Sequence, residues 1–157
     1  MATLLYNETE EFHTEDIMSL NHSHIAYNLT KAFIKYDNEF SILPELEFAF
    51  PDNNVKPDIA ICERLSIDWL DDIIRLSAPP LIAIEILSPR QALSDLVDKA
   101  TKIYLPNGTN SVWIIIPTFN IVQVLTADHS SQAYVEGTIT DTKTGINISL
   151  EDIFKKI

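Results

Sequence analysis

The sequence predicts an α/β domain in which a mixed sheet is flanked by helices, and three observations predict it. An amphipathic helical stripe stands near the front of the chain. A strictly alternating apolar segment follows it. Two short, continuous apolar runs, around Ile82 and Ile114, are then separated by a second helical segment. Continuous apolar runs suit central strands covered on both sides. Strand, helix and strand in succession imply a right-handed parallel crossover.

The first helix is expected over 19–35, where Ile25, Ala26, Leu29, Ala32 and Phe33 recur at three- and four-residue spacing. Ser19 or Asn21 is suited to cap it. Residues 45–50 alternate strictly and read as a half-buried strand, 51–54 as a turn, and 57–62 as a second strand, so that the pair forms a hairpin. Residues 63–80 are a connection with helical character around 69–76, ended by Pro79-Pro80. A central strand follows over 81–87, then a helix over 91–105 closed by Pro106-Asn107-Gly108. Residues 112–116 form another buried strand, and a turn at 117–120 leads into a strand at 121–125. Short strands are expected over 133–138 and 145–149, and a closing helix over 150–157.

At 157 residues the chain suits one domain, with 1–16 expected to be a loose acidic segment. A chain of this size buries roughly two-thirds of its unfolded surface. The apolar runs are too short to cross a bilayer. The lone Cys62 excludes an internal disulfide and a thiolate zinc cluster, and a reducing cytoplasm is the natural setting. Eleven Lys+Arg against 23 Asp+Glu give a net charge of −12. Such a surface repels phosphate backbones, so any role on nucleic acid requires a locally neutralised cleft, a metal or a partner.

Four polar residues stand where apolar ones are expected. Glu85 sits in the middle of Leu81-Ile82-Ala83-Ile84-Glu85-Ile86-Leu87. A buried carboxylate is costly unless it is paired or metal-bound, although at a strand end it would reach water. Asp58 opens the strand after Pro57, a pattern that turn punctuation also produces. Lys99 falls between Leu96 and Ile103 at helical spacing and so points at the sheet, as a structural ion-pair partner or as a catalytic cation. Lys102 falls on the flank, four residues after Asp98. His22 lies at the end of the first helix's stripe, directed at the same cleft or buried as a structural histidine; His24 falls off the stripe. Two carboxylates supply hard oxygen ligands suited to magnesium or manganese.

Lys56-Pro57-Asp58, Glu85-Ile86-Leu87-Ser88-Pro89, and Asp95-Leu96 with Lys99 and Tyr104 together resemble the Uma-two family of endonucleases, of the PD-(D/E)XK superfamily. Asn21-His22 with Ile25 and Asn28-Leu29 is similar to the family's first helix, and Val112-Trp113-Ile114 to its aromatic strand, so the resemblance spans most of 19–126. It implies a restriction-endonuclease-like fold. It also implies metal ligation by Asp58 and Glu85, an active-site lysine at Lys99 rather than at the superfamily position held here by Leu87, and a supporting role for His22 at a metal-bound water or second ion. The backbone carbonyl of Ile86 completes the expected Mg2+ or Mn2+ site. The front of the family pattern is shortened, with Glu15-Asp16-Ile17-Met18 a loose counterpart, and Ile116-Pro117 replaces the usual Asp-Pro. The expectation is a metal-dependent nuclease on nucleic acid, DNA foremost, acting as a homodimer because two strands need two sites. A non-catalytic assembly module, with a dimer surface on strands such as 113–116 and 121–125, is the alternative. A phosphohydrolase lacks a phosphate-cradling glycine loop, the chain having three glycines.

Overall fold

The computed structural model describes residues 18–157; the segment expected to be loose, 1–16, lies outside the described residues. The first helix, α1 (Leu20–Phe33), buries Ile25, Leu29 and Phe33. Ser19 caps it by accepting a hydrogen bond from the His22 amide at 3.1 Å, which satisfies one of the helix's orphan donors. A 3-10 turn, Ile34–Tyr36, extends it.

The strands are β1 (Phe40–Pro44), β2 (Glu47–Ala49), β3 (Asn54–Val55), β4 (Ile59–Glu63), β5 (Arg75–Leu76) and β6 (Ile82–Ile86), then β7 (Ser111–Ile116), β8 (Ile121–Thr126), β9 (Ser131–Tyr134), β10 (Thr138–Asp141) and β11 (Ile146–Ser149). The main sheet has six strands in the order β1-β4-β6-β7-β8-β9. Within this sheet, among the described residues, only the β6–β7 pair is parallel and the other pairs are antiparallel. The expected crossover between the two central strands is therefore present. Its helix is α2 (Leu93–Asp98), which continues as a π-helical turn over Lys99–Tyr104. A final helix, α3 (Leu150–Ile153), closes the chain and is shorter than the expected 150–157.

Alternation along the central strands divides the core. Ile82, Ile84, Ile86, Trp113 and Ile115 face α1 and the β10–β11 ribbon. Ala83, Val112 and Ile114 face the crossover helix through Leu96, Ala100 and Tyr104. Each layer excludes water from one face of the sheet, which explains the unbroken apolar runs.

Four further expectations are corrected. Strands 45–50 and 57–62 do not form a hairpin: β2 pairs with β3 and, in parallel, with β5, while β4 pairs with β1 and β6. β1 is an edge strand whose first four residues are half-buried, with Ile42 packed toward one core layer and Leu43 toward the other. It shows no polar alternation and ends in a proline, tolerated at an edge. Glu45, at φ 54°, then turns the chain out of the main sheet. The segment 69–76 is not helical; it is an exposed loop ending in β5, and Trp69, Leu70, Ile73 and Ile74 have no layer to pack against. The strands 113–116 and 121–125 cannot be an open dimer surface, since β7 is buried and both lie inside the sheet. The single strand expected over 133–138 is instead two, at 131–134 and 138–141, while the strand expected over 145–149 is found at 146–149.

Candidate active site

The β4–β6 register pairs Ile59 with Ile84. One further step sets Asp58 opposite Glu85, and cross-strand neighbours project from the same face. Both carboxylates thus arrive on the crossover-helix side, at the carboxyl end of β6, where open α/β sheets place their ligands. They line one cleft of about 440 Å3 with Met18, Glu45, Glu47, Lys56, Gln91 and Lys99.

Glu85 is 4 % exposed, so the strand-end reading with the carboxylate in water does not hold. Its Oε2 accepts a hydrogen bond of 2.6 Å from the Tyr104 hydroxyl and lies 3.8 Å from Lys99 Nζ. The expected orientation of Lys99 toward the sheet is therefore seen. Lys102 instead pairs with Asp98 on the outer flank at 3.3 Å. Tyr104 was not singled out for a role by sequence reasoning. Five residues on an ordinary α-helix turn through about 500°, leaving Lys99 and Tyr104 roughly 140° apart. The π-turn, with its i→i+5 bonding, narrows that offset, as in the Leu105 amide on the Ala100 carbonyl at 3.0 Å. Both side chains then reach one carboxylate oxygen. No periodicity rule signals such a turn.

Asp58 is held at both oxygens. Oδ2 accepts the Ile86 backbone N–H at 2.7 Å, and Oδ1 lies 3.2 Å from His22 Nε2. His22 is buried at the start of α1 and reaches Asp58 from the opposite layer. The Asp58 hydrogen bond raises its imidazole pKa above 6.5, against the opposing effect of desolvation. His22 Nδ1 has no hydrogen-bond partner among the described residues. His24 turns away and contacts the Lys155 carbonyl at 2.8 Å. Asn28, one turn further along α1, donates to the carbonyls of Ile153 and Lys155 and so ties the helix to the end of the chain. Ile86 enters the site through its N–H; its carbonyl lies on the same strand edge, since both groups of an extended residue point to one side.

Among the described residues the cleft carries four carboxylates (Glu45, Glu47, Asp58, Glu85) against two lysines (Lys56, Lys99), a balance that attracts a cation. Among the described residues no three His, Cys, Asp or Glu side chains are gathered as a ready-made metal cage. The donor set still fits a hard ion such as Mg2+, which is commonly held by one or two carboxylates and completes its shell with water and substrate phosphate. It does not suit zinc, which prefers nitrogen and sulfur ligands in a closed tetrahedron.

A family model described as "Uma2: Putative restriction endonuclease" matches residues 11–156. A crystal structure described as that of a "putative nuclease belonging to DUF820", from Anabaena variabilis ATCC 29413, superposes with a TM-score of 0.76 at 22 % identity, covering 88 % of this chain and 82 % of that one. At that identity the likeness shows the fold. No curated protein matches the chain.

Proposed function

The chain belongs to the Uma2 family, and on that premise we propose that it is a metal-dependent nuclease hydrolysing phosphodiester bonds, with DNA as the substrate class. The observation that carries this reading is the meeting of Asp58, Glu85 and Lys99 in one cleft, with Lys99 Nζ 3.8 Å from Glu85. In this reading Asp58, Glu85 and the Ile86 carbonyl hold Mg2+ or Mn2+. When bound, such an ion polarises the phosphoryl group and lowers the pKa of a nearby water. Lys99 orients the attacking water and offsets negative charge developing on the phosphate oxygens. Tyr104 fixes the Glu85 carboxylate. His22 fixes Asp58, so that neither ligand has to be ordered when the substrate arrives. Duplex cleavage calls for two such sites, hence two copies of the chain.

A second reading is favoured by one feature: Glu85 is already buried against Tyr104 and Lys99, as a structural ion pair would be. The chain would then be a binding or assembly module that keeps the fold. Calorimetric titration of Mn2+ and a plasmid-nicking assay separate the two. The nuclease reading expects Mn2+ binding that is lost in Asp58→Asn and Glu85→Ala. It expects nicking that drops about 100-fold or more in Lys99→Ala, with the fold and metal binding kept. Mn2+ affinity unchanged in Glu85→Ala would sink the site assignment. A Lys99→Ala protein that unfolds would favour the structural pair.

A further inference from the structure

Two exposed apolar strips lie outside the cleft. The first is the outer face of α1 and its 3-10 extension, where Leu20, Tyr27 and Ile34 recur every seven residues at 83, 59 and 55 % exposure. Lys31 falls on the same stripe with its ammonium 4.6 Å from the Tyr27 ring centroid, and Lys35 is exposed beside it. The second is the loop 65–74 between β4 and β5, where Trp69 and Leu70 are 92 and 98 % exposed and Ile67, Ile73 and Ile74 are also largely in water. Asp68, Asp71 and Asp72 are interleaved with them and exposed. Single surface apolar residues are ordinary, but a contiguous run of this kind marks an interaction surface.

The two strips approach each other at one end. Arg64 Nη1 donates to the Asp37 carbonyl at 2.8 Å, and the Leu65 amide donates to Ser41 Oγ at 2.8 Å. The loop therefore leaves the body of the protein just where the helical strip ends. One strip is apolar with lysines and the other apolar with aspartates. A two-fold interface sets a surface against a copy of itself, so one half of that surface must complement the other half. This pair of strips meets that requirement within a single chain.

We propose that the outer strip of α1 and the loop 65–74 form a two-fold homodimer interface. The loop of each copy packs Trp69 and Leu70 on the α1 strip of the other, with Asp71 and Asp72 facing Lys31 and Lys35. Nucleic acid and anionic lipid are poor occupants, because three aspartates within 68–72 repel both. The proposal deepens the paired-site reading above, but its argument rests on surface chemistry alone and its test is independent of cleavage.

The test is the solution mass of the full chain by sedimentation equilibrium over a concentration series. The wild type should show twice the monomer mass, and Trp69→Ser with Leu70→Ser should halve it. Lys31→Glu with Lys35→Glu should be monomeric, since its own strips then repel. So should Asp71→Lys with Asp72→Lys. Mixing these two charge-swapped proteins should restore the doubled mass, which also shows that both are folded. A wild type that stays monomeric throughout overturns the proposal. So does a dimer that survives all three sets of substitutions, which would place the contact on another face. A mixture that fails to reassociate overturns the pairing of lysines with aspartates. None of these outcomes alters the metal-binding and nicking assays, so failure here and failure of the nuclease reading are distinguishable.

Discussion

At the residue scale, the site is a set of carboxylates whose burial is tolerable only because each has assigned partners. Tyr104→Phe removes the 2.6 Å bond to Glu85 and leaves a buried carboxylate one donor short. The cost should be about 1–3 kcal/mol, read by chemical denaturation at neutral pH. Lys99→Ala should cost a comparable amount, because it takes the nearby cation from the same buried carboxylate. Cys62 offers a separate check. Burial pushes its thiol from 9.0 up to about 11, so the native state favours the protonated form. That contribution is fully present below pH 9 and is lost as pH climbs from about 9 to about 11. Stability should fall over that window by a component that Cys62→Ala lacks. Alkylation of the native thiol at pH 8.5 should be far slower than in the unfolded chain.

At the scale of elements, the crossover segment does more than connect two parallel strands. Its α-helical first half buries Leu96 against the sheet, and its π-turn delivers Lys99 and Tyr104 to one oxygen. The exit from that turn depends on Gly108, whose φ of +108° L side chains rarely adopt and whose missing Cβ would meet Pro79 Cγ at 3.1 Å. Gly108→Ala should therefore destabilise the protein by about 1–3 kcal/mol through backbone strain and contact with Pro79. Thermal unfolding checks this, and an unchanged midpoint would show that the turn relaxes without penalty.

At the scale of the whole molecule, the charge of −12 sets the terms on which a polyanion can be met. Among the described residues only two lysines face the cleft. If these make the phosphate contacts, binding of a DNA duplex should follow a shallow salt dependence, with a log–log slope of about −2. Fluorescence anisotropy across a salt series measures it. A much steeper slope would reveal a basic surface larger than the cleft provides.

The sequence by itself determined the alternation of strands and helices, the two central strands and the crossover between them. It also determined the sense of Lys99, because apolar periodicity reports directly which face of an element is dry. Glu85 stood out for the same reason: a carboxylate inside an apolar run is improbable without a partner. The tertiary structure decided what period and spacing do not encode. β1 was illegible because its half-buried residues pack toward both layers. The true partners of β2 and β4 depended on a turn at Glu45 that no glycine announced. The role of Tyr104 depended on a π-turn whose extra residue erases the helical phase from which a face is read. His22 and Asp58 come from opposite layers, and only the closing of α1 over the sheet brings the imidazole within 3.2 Å of the carboxylate. Local pattern fixes which face of each element is buried; which buried faces meet is a property of the packed whole.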